Sequence, residues 1–130
     1  MHPIKQLNLK QLNRENFKAV IEKNAVVIVD FWASWCEPCV AFTPIFERVA
    51  EQHVAITFGM VDIDNAPEIA KFFNVEQVPC VLCIKDQVII DAVVGKMNAT
   101  ELNHHIEMWK MFDNSAIKEH FDAKPMSIMT

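Results

Sequence analysis

The run Ala25 to Trp32 is apolar apart from Asp30, and just beyond it stands a Cys-Glu-Pro-Cys motif, Cys36 to Cys39. A stretch apolar on both faces fits a central strand of a layered sheet. Pro38 fits the first turn of a helix, where its missing N–H would have had no partner. The two thiols therefore fall where a strand turns into a helix. A free cysteine, with a pKa of ~8.5, is mostly protonated at neutral pH, and a helix N-terminus favours its anion. Cys36 can point outward from such a turn while Cys39 lies one step inside, close enough to attack a mixed disulfide formed on Cys36.

Around this junction apolar periodicity alternates between strand and helix, which predicts an α/β layer structure. Ile4 to Leu9 reads as a weak first strand, and Asn13 as the cap of a helix that buries Phe17, Val20 and Ile21. A second helix, from about Pro38 to Gln52, carries Phe42, Ile45, Phe46 and Val49 on one stripe, with Pro44 inside it as an expected kink. Val54 to Val61 reads as another central strand. After it come the polar loop Asp62 to Asn65 and a short helix presenting Ile69, Phe72 and Phe73. Cys80 to Ile84 and Val88 to Val94 form two further strands joined by Lys85-Asp86-Gln87, a turn without the usual glycine. Asn98 with Glu101 predicts a capping box for a last helix that buries Leu102, Ile106 and Trp109.

A chain of 130 residues, 52% of them hydrophobic, suffices for one buried core and is short for two. We expect a domain over 1–112 and a C-terminal extension over 113–130 of unassigned role. Met1 to Gln6 has no apolar export-signal core, and the apolar runs are too short to span a bilayer, so the expected location is the cytoplasm. There, cysteines are more often catalytic, metal-binding or simply buried than structurally bridged. With a net charge of -5 and scattered acids, the chain offers no basic face for nucleic acid and no cationic helix for membranes. Partners are expected to be proteins.

The segment Val29-Asp30-Phe31-Trp32-Ala33-Ser34-Trp35-Cys36-Glu37-Pro38-Cys39 resembles the active-site segment of thioredoxins. Pro44, Val78-Pro79 and Val94-Gly95 match at the expected places, and the resemblance runs from Asn13 to Met111. It implies a thioredoxin fold, a mixed central sheet flanked by helices. It also implies a protein-disulfide reductase without bound cofactor, supplied by a thioredoxin reductase or another dithiol donor. By the same resemblance Asp30 is the buried acid that deprotonates Cys39, Pro79 is cis and faces the dithiol, and Val78 offers its backbone to an extended substrate. Trp35, Val78 and Gly95 then form an apolar platform around Cys36. Two rivals remain at this point. One is a disulfide oxidase or isomerase; the other is a redox-sensing or interaction module whose C-terminal extension binds a partner.

The chain departs from the family pattern in ways that bear on its chemistry. Glu37 stands where glycine is usual, and Met60 where a lysine often accompanies the buried acid. An acid beside Cys36 disfavours its thiolate and is itself welcome at a helix N-terminus; the first effect is expected to win and make the couple more reducing. Without a neighbouring cation, Asp30 should rise further in pKa. Cys80 and Cys83 make a second Cys-x-x-Cys, but on a strand residues three apart face opposite ways, so no shared metal is expected. Cys80, next to Pro79, is read either as an inert buried thiol or as a third redox thiol near the pair. Cys83 is read as core, Trp32 as packing, and His104 and His105 as helix-surface residues.

Overall fold

The computed structural model describes residues 8–113. The elements in chain order are β1 (Leu9–Gln11), α1 (Phe17–Lys23), β2 (Val26–Trp32), α2 (Glu37–Gln52), β3 (Thr57–Asp62), α3 (Pro67–Phe72), β4 (Cys80–Lys85), β5 (Val88–Val94) and α4 (Ala99–Met111). The strands make one five-stranded sheet in the order β1-β3-β2-β4-β5. β1, β3 and β2 run parallel, whereas β4 is antiparallel to β2, and β5 to β4. The extension expected beyond Asp113, with its further helical turns, lies outside the described residues.

β2 occupies the centre because its alternating side chains feed two cores. Val27, Val29 and Phe31 pack with Phe17 and Ile21 of α1 and Ile69 of α3. Ile28, on the other face, packs with Phe42, Phe46 and Val49 of α2 and with Leu102, Ile106 and Trp109 of α4. The helices thus cover the sheet in pairs, α1 with α3 and α2 with α4. β4 divides its thiols the same way: Cys80 enters the first core and Cys83 the second.

Several local expectations shift. Of the expected first strand, Ile4 to Leu9, residues 4–7 lie outside the described residues; the described strand runs on to Gln11, with Lys10 and Gln11 paired to Gly59 and Met60 of β3. Asn8, just before it, donates from its side chain to the carbonyls of Ala50, His53 and Ile56, tying off the end of α2. Asn13 does not cap α1; its side chain accepts the N–H groups of Glu15 and Asn16 in a turn ahead of the helix. Val54 lies exposed before β3, and Phe72 points outward from α3 while Ala70 takes the buried place. His105 is half-buried, with its ring centroid 5.5 Å from that of Trp109.

The β4–β5 turn forms without glycine. Asp86 and Gln87 both adopt positive φ, 51° and 69°, the two-residue pattern whose twist suits a hairpin. The hairpin then anchors the last helix. Lys85 Nζ donates to the carbonyls of Trp109 (2.9 Å), Lys110 (3.2 Å) and Phe112 at the C-terminal end of α4. Trp109 Nε1 donates to Asp91 of β5 at 2.8 Å. At the other end of α4, Asn98 and Glu101 form the expected capping box.

Candidate active site

The site lies at the C-terminal end of β2, where the chain leaves the sheet through Ala33, Ser34 and Trp35 and enters α2. Cys36 is the N-cap of α2: its backbone is extended, and its sulfur accepts the N–H of Cys39 at 3.2 Å. Glu37 and Pro38 fill the first turn, as the motif requires of residues with no backbone partner to lose. Cys36 and Cys39 are joined in a disulfide with their Cα atoms 5.2 Å apart. Their accessibility differs in a useful sense, since Cys36 retains 6% of its surface and Cys39 none.

A second segment meets this pair because β4 runs antiparallel to β2. The start of β4 therefore lies at the same end of the sheet as the end of β2. The Val78–Pro79 peptide bond there is cis, and the Val78 carbonyl oxygen lies 3.6 Å from Cys36 Sγ. Val78, Ile63 and Trp32 pack around the small cluster of Ala33, Cys36 and Cys39. Pro79 is buried, and its carbonyl accepts the N–H of Gly95 at 2.8 Å. Gly95 has φ of 106°, a conformation that side chains rarely adopt, and a Cβ there would meet no atom within 4 Å. The need for glycine is thus conformational, and the space above it is open.

Trp35 turns outward, with 66% of its surface exposed, and donates from Nε1 to Asp64 at 3.0 Å. That partner escaped the sequence reading, which took Asp62 to Asn65 only as a polar loop. The alternation Asp62-Ile63-Asp64 carried the signal: Ile63 packs inward against the dithiol, and Asp64 outward against the indole.

Asp30 lies inside the sheet, completely buried, and neither carboxylate oxygen has a hydrogen-bond partner among the described residues. Burial pushes its carboxyl well above the usual range, because the anion would lose its hydration with no compensating bond. Cys80 sits across the ladder from Phe31 and Val94, in the core covered by α1 and α3, outside the cluster that holds the dithiol. Its thiol is pushed up by burial and by the charge of Asp30, which disfavours the reactive thiolate. Cys83 is pushed up to about 12, chiefly by burial, as suits a core thiol. Among the described residues no group of three or more His, Cys, Asp or Glu side chains is placed to hold a metal ion.

The comparisons with known proteins agree with this geometry. The thioredoxin family model matches residues 8–108. A thioredoxin of Coprinus comatus is 35% identical over 97 residues, spanning 73% of this chain and 91% of that protein. A thioredoxin of Mycoplasmoides gallisepticum is 36% identical over 90 residues, spanning 69% and 90%. In three dimensions the chain is similar to Plasmodium falciparum thioredoxin, with a TM-score of 0.72 and 30% identity, over 77% of this chain and 98% of that one.

Proposed function

This chain belongs to the thioredoxin family of thiol–disulfide oxidoreductases, and we propose that it reduces protein disulfides with Cys36 as nucleophile and Cys39 as resolving thiol. The Cys36 thiolate attacks one sulfur of a substrate disulfide; a mixed disulfide forms, and the other substrate sulfur leaves and takes a proton. Cys39 then attacks Cys36 Sγ, the Cys36–Cys39 bond closes, and the second substrate thiol departs. Two electrons pass from the dithiol to the substrate. Asp30 accepts the Cys39 proton, a role favoured by a raised pKa, since such a carboxylate is a stronger base than an ordinary one. Val78 and Pro79 hold an extended substrate segment alongside Cys36, with Trp35 and the open space over Gly95 flanking it.

The observation that carries this assignment is the approach of the Val78 carbonyl to Cys36 Sγ, the more accessible sulfur of the pair. Family membership implies disulfide substrates and a reducing partner. The finer assignment is to proteins as substrates, to a thioredoxin reductase or other dithiol donor, and to the cytoplasm. No helix among the described residues is long and apolar enough to cross a membrane. The reductase unit ends with α4, so truncation after Phe112 is expected to preserve activity.

Equilibration with glutathione tests the direction of the chemistry. A Cys36–Cys39 couple at or below the cytosolic poise, roughly -220 to -320 mV, supports a reductase, and a far more oxidising couple overturns it. Glu37→Gly is expected to shift the couple toward the oxidising side; an unchanged or lower potential counts against a reducing influence of Glu37.

A further inference from the structure

Glu37 opens α2 directly after Cys36, with its side chain exposed. It has no hydrogen bond or ion pair among the described residues. Two exposed apolar residues stand near it in the chain: Val40, one turn along the helix and 53% exposed, and Trp35, just before Cys36 and 66% exposed. A second carboxylate, that of Asp64, is exposed and bonded to the Trp35 indole. Residues 24–47 and 49–70, which supply both segments, contain no lysine or arginine. Of the described cations, Lys96 follows Gly95 in the chain, and Lys71 shares the lining of a cavity of about 340 Å³ with Glu76.

We propose that Glu37 is a specificity-determining residue, selecting disulfides whose cysteine is flanked by lysine or arginine. The inference rests on Cys36 being the attacking thiol. When a substrate sulfur reaches Cys36, residues one or two places from it lie within ~4–8 Å along the chain, which brings them over Glu37 and Trp35. A lysine or arginine there lays its aliphatic stem on Trp35 and Val40 and its charged head on the carboxylate of Glu37. A flanking acid meets like charge from Glu37 and Asp64, with no basic residue in the two segments that carry them. Electrostatic complementarity of this kind sets partner choice and encounter rate more than total affinity.

The test uses the reduced full-length protein and three peptides, identical except that lysine, glutamine or glutamate flanks a single cysteine carrying a 2-pyridyl disulfide. Each reduction rate is divided by the rate with dithiothreitol, which removes differences in the reactivity of the peptides themselves. The lysine peptide is expected to exceed the glutamate peptide by about 3- to 10-fold at low ionic strength, as exposed charge pairs allow, and the ratio should approach one in ~1 M salt. Glu37→Gln should at least halve the ratio. Asp64→Asn, which keeps an acceptor for the indole, should lower it less. Because the readout is a ratio, a change in Cys36 reactivity cancels. A wild-type ratio near one, or a ratio unchanged by Glu37→Gln, overturns the proposal. If Cys36→Ser reduces the glutamine peptide as fast as wild type, the assignment of the nucleophile fails instead.

Discussion

Asp30 and Met60 stand directly opposite each other across β2 and β3. The buried carboxyl therefore has a thioether beside it on one strand and Val81 on the other, with no cation from either.

Asp30→Asn is expected to stabilise the protein near pH 8. The folded chain holds the Asp30 proton to higher pH than the unfolded chain does, for which the ordinary value is 3.8. Stability from this group is present in full below that value and is lost as pH rises through the folded one. The amide isostere carries no such loss. Thermal unfolding should show the variant several degrees more stable at pH 8, with the gap closing toward pH 4. A gap independent of pH would show that Asp30 is not the titrating group. In stopped-flow kinetics, the same variant should slow resolution of mixed disulfides more than their formation.

Replacing the two catalytic thiols should separate the half-reactions. Cys39→Ser leaves an attacking sulfur with nothing behind it, so a covalent adduct with substrate should accumulate on Cys36. Cys36→Ser should lose the reaction, by roughly 10³-fold or more, and form no adduct. Intact mass after mixing with a disulfide protein distinguishes them, and an adduct on Cys36→Ser would reverse the assignment.

Lys85→Met should loosen the last helix. The substitution keeps much of the aliphatic stem and removes the charge that Lys85 Nζ places on three carbonyls at the end of α4. A loss of about 1–2 kcal/mol is expected by denaturant titration, since charge-assisted bonds at a helix C-terminus are partly open to water here. Unchanged stability would mean that water replaces the ammonium without cost.

Gly59 leaves no room for a side chain, because a Cβ built on it would overlap the Leu12 side chain. Gly59→Ala should cost about 1–3 kcal/mol of stability, as overpacking of a filled core does. A variant as stable as wild type would mean that Leu12 moves aside freely.

The parts of this fold that were legible in the sequence are those specified by a few adjacent residues. The Cys36–Cys39 junction, the capping box of Asn98 and Glu101, and the two-sided burial of β2 each follow from local chemistry. What escaped was set by partners distant in the chain. β1 runs on to Gln11 because Lys10 and Gln11 find ladder partners in Gly59 and Met60, and Phe72 yields its buried place to Ala70 because the core-facing side of α3 is formed by Ile69 and Ala70, with Phe73 packed beside them. His105 is half-covered through its packing on Trp109. Asp86 and Gln87 take up positive φ although neither is glycine, because the strands of β4 and β5 hold the hairpin closed from outside. At the site, Asp64 went unnoticed because its partner lies 29 residues away in the loop before α2.

The antiparallel join of β2 and β4 divides the chain into two halves that share one seam. The first half, through α3, brings Cys36 and Cys39; the second, from Val78 onward, brings the cis Val78–Pro79 bond that lies beside Cys36. Neither half holds the dithiol and the cis bond together, and residues far apart in the chain face one another only once the seam has closed. Competence for disulfide exchange is thus a local readout of long-range assembly. A chain cut between α3 and β4 would regain turnover only as fast as its two fragments find each other.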